Sequence, residues 1–171
     1  MGLGQTMLTV LAMGMLATIL LTVNTNRQDN NNAVQMSQYR IMASSLATST
    51  IQRATGLAFD QNTVNSNVAD VSALSSVLGV ETGEIDTVED KFNDFDDYNN
   101  FHKWVKGDSI NFRSADFSVT TKVDYVQIIG NAVVTSSSRT YTKRITVRVS
   151  SPYMGTDTIT ASTLYSYWYF R

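Results

Sequence analysis

The hydrophobic pattern of this chain changes along its length, and each change predicts a different structure. Residues 1–26 contain no charged residue, and from Met7 to Val23 they are mostly Met, Leu, Val, Ile and Ala. A helix that is apolar on every face lies in a bundle or a membrane, and a run of this length can cross about 30 Å of hydrocarbon. Its threonine hydroxyls can bond back to carbonyls one turn earlier, so they need not interrupt the helix.

An amphipathic segment follows the apolar one. Asn24–Asn32 is rich in asparagine, which predicts either a short linker or a weak point in one continuous helix. From Ala33 to Arg53 the pattern predicts a helix with one apolar face, formed by Val34, Ile41, Met42, Leu46 and Ile51. Gly56 is suited to cap its C-terminus. Unbroken over residues 2–55, this helix would be roughly 80 Å long. Its apolar half then needs a membrane or neighbouring subunits to cover it.

The next segment mixes short polar and aromatic patterns. Val68–Leu78 predicts a short helix that Gly79 ends. Aromatic residues then recur every three positions, at Phe92, Phe95, Tyr98, Phe101 and Trp104. This spacing predicts a helical turn or a compact loop held against a core.

From residue 110 onward the apolar positions alternate with a period of two. The alternation covers Phe117–Tyr125, Tyr141–Val149 and Thr158–Phe170, and it predicts three half-buried strands. Short turns between them favour an antiparallel meander. The predicted fold class is therefore α+β, with a long N-terminal helix packed on an antiparallel β-sheet. It divides into residues 1–26, 27–56 and a globular part, 57–171.

Composition narrows the class of function. The formal net charge of −2 gives no support for nucleic-acid binding, and the absence of cysteine excludes disulfides and thiolate chemistry. Glu81–Asp97 holds eight acids and one base, whereas Tyr98–Arg171 holds nine bases and four acids. Such opposed patches suit packing between identical subunits or a solvated surface. The single histidine, His102, has neither a cysteine nor a second histidine to join it in a site, so we expect no enzyme.

The acidic stretch allows two interpretations. Asp94, Asp96, Asp97 and Asn99 offer oxygen ligands close in sequence, and Ca²⁺ takes six to eight such ligands. Their spacing does not match the EF-hand loop. The alternative is a solvated turn in which these side chains accept hydrogen bonds from the backbone N–H groups of Tyr98–Phe101. We favour the turn, because the ligand spacing is not diagnostic and the neighbouring aromatic residues can hold the loop unaided.

Four segments give the chain a more specific resemblance. They are Asp96-Asp97-Tyr98-Asn99-Asn100-Phe101, Lys143-Arg144-Ile145-Thr146-Val147, Ser150-Ser151-Pro152 and Thr158-Ile159-Thr160-Ala161-Ser162-Thr163-Leu164. Together with the long helix, they resemble the type IV pilin and pseudopilin family, in particular pilin-like proteins of the mannose-sensitive haemagglutinin pilus type. The resemblance implies a subunit that is inserted in the inner membrane and then extracted by assembly machinery. Its copies would form a helical homo-oligomer, an extracellular filament used in adhesion or secretion.

The resemblance also implies roles at the N-terminus. Mature family members begin with an N-methylated apolar residue and carry glutamate at the fifth position. In this chain Met1 corresponds to the N-methylated first residue, and Gln5 stands where the family has its glutamate. Gly14 stands where the family often has a glycine that loosens the helix. In the alternative register, the peptidase cuts after Gly4. A neutral amide offers only hydrogen bonds where a buried glutamate would pair with a neighbour's ammonium. Assembly would then depend on apolar packing.

The resemblance implies a filament core made of the apolar helix. We expect it to contain Leu3, Met7, Leu8, Val10, Leu11, Met15, Leu16, Ile19, Leu20 and Val23. A secretory signal peptide and a plain single-span anchor are the other interpretations of this segment. The corresponding alternatives for function are a minor pseudopilin that primes or tips a fibre, and a membrane-anchored binding module that never polymerises.

Overall fold

A single helix forms the N-terminal third of the chain. The computed structural model describes residues 2–81, 88–107 and 115–167, and α1 runs without a break over Leu3–Thr55. The asparagine-rich tract Asn24–Asn32 is helical, so of the two alternatives the short linker is wrong and the continuous helix is confirmed. Each asparagine costs well under 1 kcal/mol in a helix, which does not stop propagation through the tract once the helix has formed. The chain forms two compact units, residues 1–38 and 39–171.

In the second unit, the C-terminal part of α1 packs on the sheet through small residues. Its buried stripe consists of Ala43, Ala47, Thr50 and Ala54, at helical spacing. Leu46 and Ile51 lie partly buried beside it, but Ile41 and Met42 of the predicted apolar face are exposed. Small side chains let the helix backbone approach the sheet closely, and this favours the alanine stripe over the larger residues. The Gly56 N–H donates to the Gln52 carbonyl at 3.1 Å and ends the helix as expected.

Among the described residues, the sheet is antiparallel and has five strands. They are β1 (His102–Val105), β2 (Phe117–Ile129), β3 (Ala132–Thr135), β4 (Thr142–Ser150) and β5 (Thr158–Ser166). The order is β1-β2-β4-β5, and β3 pairs with the end of β2. The three predicted strands are confirmed as β2, β4 and β5, although the predicted last residues of β5 lie outside the described part of the chain.

Two strands were not predicted, because neither shows a clear alternation. β1 has four residues and β3 has four exposed residues. Both owe their strand conformation to pairing with the long β2. On the central strands the alternation is clear, and Val119 faces Val149 while Val123 faces Ile145 across the β2–β4 pair. These buried side chains form the core together with Ala43, Ala47 and Ala54 from the buried stripe of α1.

The segment between α1 and the sheet is mostly irregular. The predicted helix at Val68–Leu78 is wrong, since only a 3₁₀ turn over Val71–Ala73 forms there. The Asp70 side chain accepts a 2.7 Å hydrogen bond from the Ser72 N–H, a local bond that competes with a longer helix.

The aromatic segment forms the predicted compact loop. Two 3₁₀ turns, Glu89–Lys91 and Asp96–Tyr98, shape it. Its buried rings are Phe92, Phe95, Tyr98 and Phe101. The exception is Trp104, which lies on β1 and is 59% exposed.

Candidate functional site

The first candidate site is the apolar surface of α1 from Leu3 to Val23. All ten residues predicted for a filament core are exposed, from 81% at Leu3 through 66% at Leu11 to 44% at Val23. By length and composition α1 could cross a membrane, and a signal sequence near an N-terminus would pass the same test. These ten large apolar side chains are therefore not buried by any other described residue.

Polar groups do not interrupt this surface. The Thr6, Thr9 and Thr18 hydroxyls each donate to the carbonyl three residues earlier, and Thr22 donates to the carbonyl four residues earlier, at 2.8–2.9 Å. This confirms the predicted back-bonding.

The residues assigned to N-terminal processing and assembly are only partly described. Gln5 lies in the first turn of α1, where its N–H donates to the Gly2 carbonyl. A Cβ added at Gly14 would meet nothing within 4 Å. Met1 lies outside the described residues.

The second candidate site is a set of buried ionisable residues, which we call the ionic cluster. Its members are Asp60, Asp94, Asp96, Asp97 and Lys143, all with no solvent exposure. The Lys143 ammonium donates to the Asp60 carboxylate at 2.8 Å, the Asp96 carboxylate at 2.5 Å and the Phe59 carbonyl at 2.8 Å. It also lies 4.6 Å from the centre of the Phe59 ring. One cation thus holds a strand of the sheet to two separate loop segments.

Asp60 is fully provided with hydrogen-bond donors. Besides Lys143, its carboxylate accepts from the Ser75 N–H and hydroxyl at 3.0 and 2.9 Å, and from the Tyr125 hydroxyl at 3.1 Å. Burial raises the pKa of Asp60, but the Lys143 charge and these hydrogen bonds together lower it below its usual range. Asp60 and Lys143 therefore form an ion pair.

Asp94 and Asp97 brace the turn between them. The Asp94 Oδ1 accepts from the Asp96 and Asp97 N–H groups at 2.8 and 3.2 Å, while the Asp97 Oδ2 accepts from the Asn93 and Asp94 N–H groups at 2.8 and 3.2 Å. The prediction that these side chains accept hydrogen bonds from backbone N–H groups of a turn is therefore confirmed. The predicted donors, Tyr98–Phe101, are wrong, because the donors are Asn93, Asp94, Asp96 and Asp97. The prediction of a solvated loop is also wrong. The turn is buried, because the aromatic side chains on both sides of it pack in the core.

Two carboxylate oxygens of this turn stand apart from that network. Asp94 Oδ2 and Asp96 Oδ2 are buried and accept from no N–H or hydroxyl group among the described residues, and the two carboxyl groups are hydrogen-bonded to each other when one of them carries a proton. Burial, together with the charges of Asp96 and Asp97, raises the pKa of Asp94 to about 9. Burial likewise raises the pKa of Asp96.

The predicted calcium ligands are not all brought together. Asn99 uses its amide elsewhere, donating to the Leu78 carbonyl at 3.0 Å and accepting from the Val123 N–H at 3.1 Å. One carboxylate oxygen from each of Glu81, Asp94 and Asp96 lies within 4.8 Å of the others. Glu81 opens the acidic stretch that contains the turn, but it is not close enough in sequence to Asp94 and Asp96 for spacing alone to indicate it.

The single histidine, His102, is exposed on β1, and its Nε2 lies 2.9 Å from the Ser118 hydroxyl on β2.

Comparisons with known proteins add no assignment, since no family model, curated protein or solved structure matches this chain.

Proposed function

We propose that this chain is a structural subunit of an extracellular filament of the type IV pilus kind. It is inserted in the inner membrane through the apolar part of α1, and assembly machinery then extracts it into a helical homopolymer. The observation that carries this proposal is the uncovered apolar surface between Leu3 and Val23.

The energetic argument starts from the cost of that surface in water. Each large apolar side chain gains about 1.5–3 kcal/mol when it is fully buried, so ten exposed ones make an isolated chain in water unfavourable. A bilayer covers them first. In a filament, copies of the same helix replace the lipid, and close packing between helices supplies the attraction. Because Gln5 is neutral, this packing buries no side-chain charge at that position.

A membrane-anchored module that never polymerises is the second candidate, because the same surface suits a single span. The length of α1 favours the filament over the anchor. A span needs about 20 residues, whereas α1 has 53 residues without a break. A monomeric anchor has no need of the additional helix, but a filament subunit uses it to join its apolar segment to the folded unit.

Shearing the cells and pelleting the released material tests the proposal. Mass spectrometry should find this chain as the main component of pelleted filaments. A minor pseudopilin would be present only in trace amounts beside another main subunit. Recovery of the chain solely from the membrane fraction would contradict the filament and support the anchored module.

Cross-linking gives a second measurement. The chain has no cysteine, so a Leu16→Cys variant carries one thiol within the apolar surface. Oxidation of sheared filaments should link neighbouring copies through this residue. The same variant dispersed as monomers in detergent is the matched control and should stay unlinked. Absence of dimers in both samples, with Met7→Cys and Leu20→Cys also negative, would count against a core built from this surface.

A further inference from the structure

We infer that the side chains of Lys143 and Asp96 join in an intramolecular isopeptide bond, which the folded chain forms by itself with loss of one water molecule. Lys143 lies on β4 and Asp96 on the 3₁₀ turn of the aromatic loop, 47 positions apart in sequence. The bond does not depend on the filament proposal, because both residues lie in the folded unit, residues 39–171.

The first observation is the short distance between the two groups. The Lys143 Nζ lies 2.5 Å from Asp96 Oδ1. Since a carbon–oxygen bond measures about 1.2 Å, Nζ is no more than about 3.7 Å from the carboxyl carbon. Reacting atoms that are well placed within one molecule lie about 3–3.5 Å apart. The fold therefore holds the amine close to the distance at which it attacks Asp96 Cγ.

The second observation is the apolar surroundings of this contact. Solvent reaches neither side chain, and Nζ lies 4.6 Å from the centre of the Phe59 ring and 5.2 Å from that of Tyr125. Burying an ammonium and a carboxylate is unfavourable, whereas an amide carries no charge. Because the site excludes bulk water, it also favours the loss of water and protects the amide from hydrolysis.

The third observation is a proton donor and a proton acceptor on either side of the contact. Asp94 donates a hydrogen bond from its carboxyl group to the carboxylate of Asp96. Asp60 Oδ2 lies 2.8 Å from Nζ. Asp94 is thus placed as a general acid toward Asp96, and Asp60 as a general base toward Lys143. A buried ion pair that serves only to join two segments needs neither group.

The surroundings of the two carboxyl groups select Asp96 over Asp60 as the one that reacts. The Asp60 carboxylate accepts hydrogen bonds from Ser75 and Tyr125 besides Lys143, and these donors keep it ionised. An ionised carboxylate resists attack by a nucleophile, because it already carries negative charge. Asp96 Oδ2 accepts from no N–H or hydroxyl group among the described residues. It is therefore the oxygen that takes the proton of Asp94 and leaves.

The reaction balances in atoms and charge. The Lys143 ammonium gives one proton to the Asp60 carboxylate, and the neutral amine attacks Asp96 Cγ. Asp94 gives its proton to Asp96 Oδ2, which takes a second proton from the nitrogen and leaves as water. One Nζ–Cγ bond has formed and one Cγ–Oδ2 bond has broken, with Asp60 left protonated and Asp94 ionised. Nothing is oxidised or reduced, so the step needs no co-reactant.

Tryptic digestion of the full chain, purified in detergent and followed by mass spectrometry, tests the bond. Trypsin does not cleave after a lysine whose amine has become an amide. We expect the peptide Phe92–Lys103 joined to Thr140–Arg144, with the summed mass of the two peptides less one water molecule. Fragmentation should place the link on Asp96. A chain without the bond gives Phe92–Lys103 and Thr140–Lys143 as separate peptides.

The exposed pair of Lys122 and Asp124, 3.0 Å apart, is the internal control. It should be recovered unlinked, because solvent keeps both groups charged. Lys143→Arg keeps the positive charge but replaces the amine with a guanidinium that stays protonated, so this variant should form no link. Asp94→Asn keeps the shape of the side chain but removes the acidic proton. It should form the link at least about a hundredfold more slowly.

The wild type alone decides the matter if either variant does not fold. The joined peptide from the folded wild type supports the bond, and full recovery of the two separate peptides overturns it. A link from Lys143 to Asp60 would contradict the choice of Asp96. An equally fast link in Asp94→Asn would contradict the transfer of a proton from Asp94.

Discussion

The Lys143 ammonium on β4 lies 2.8 Å from the carboxylate of Asp60, and solvent reaches neither side chain. The two residues are 83 positions apart in sequence, so the pair joins the sheet to the segment that follows α1. A buried ion pair is weak evidence of net stabilisation, but removing one partner leaves an uncompensated charge in the core.

Replacing Lys143 should therefore destabilise the folded state strongly. We expect Lys143→Met to lower the free energy of unfolding by about 3–5 kcal/mol, because Asp60 and Asp96 would both lose their cation. Denaturant unfolding of the detergent-solubilised chain, followed by tryptophan fluorescence, measures the loss. Lys122→Met is the control: Lys122 is 65% exposed and pairs with Asp124 at 3.0 Å. Its loss should stay within about 1 kcal/mol, and equal effects of the two variants would contradict the argument.

The aromatic loop should depend on Phe95. This ring is fully buried and lies 4.9 Å from the ring of Tyr165 on β5. Phe95→Ala should cost about 3–5 kcal/mol of unfolding free energy, because it removes a large buried side chain and leaves a cavity. Trp104 is the last aromatic residue of the same three-residue spacing and is exposed. Trp104→Ala should therefore lower the unfolding free energy far less. A comparable loss in both variants would show that the loop is not held through its buried rings.

The turn after the aspartates includes a backbone conformation that few residues adopt easily. Asn100 has a φ of 60°, which costs most L-residues roughly 1–2 kcal/mol but is tolerated by asparagine and glycine. Asn100→Ala should lower the unfolding free energy by about that amount, whereas Asn100→Gly should be close to neutral. Thermal unfolding of the two variants provides the comparison, and a harmless alanine would argue against strain at this position.

A charge placed in the apolar surface should prevent assembly. Leu11→Asp would bury a carboxylate among apolar helices, which is unfavourable without a partner. We expect no sheared filaments from this variant, while the fold of residues 39–171 stays intact by circular dichroism. Val77→Asp makes the same chemical change at a residue that is 77% exposed on the folded unit. It should assemble normally, and normal fibres from Leu11→Asp would refute the proposed core.

The helix should loosen when the filament forms. Gly14 and Asn24–Asn32 combine low helix propensity with a lack of proline, and we expect the break within Gly14–Thr22 rather than in the asparagine tract. Cryo-electron microscopy of the filament would show it as missing backbone hydrogen bonds. Gly14→Ala adds about 1 kcal/mol of helix propensity and should reduce the break. Continuous hydrogen bonding from Leu3 to Arg53 in the filament would show the prediction to be wrong.

Sequence predicted the regular elements better than the ionic cluster, for a physical reason. The long helix and the central strands follow from periodic patterns that extend over many residues. The same alternation put Lys143 on the inward face of β4, in register with Ile145 and Val147. A lysine on the buried face of a strand is a sign of a buried charge in need of partners, but no such charge was predicted at Lys143. The alternation gave no sign of which acids would supply them, because Asp60 and Asp96 reach the lysine only through loops whose path depends on tertiary packing.

In the proposed filament, the back-bonded threonines of α1 would have a mechanical consequence. Their hydroxyl groups donate hydrogen bonds to carbonyls of their own helix, at Thr6, Thr9, Thr18 and Thr22. Few hydrogen bonds would therefore fix the position of one helix relative to the next. Neighbouring helices in such a bundle could slide or rotate at small cost while keeping their area of contact. Axial spacing between subunits would then be set by polar contacts of the folded units, and the fibre would stretch under load before it ruptures.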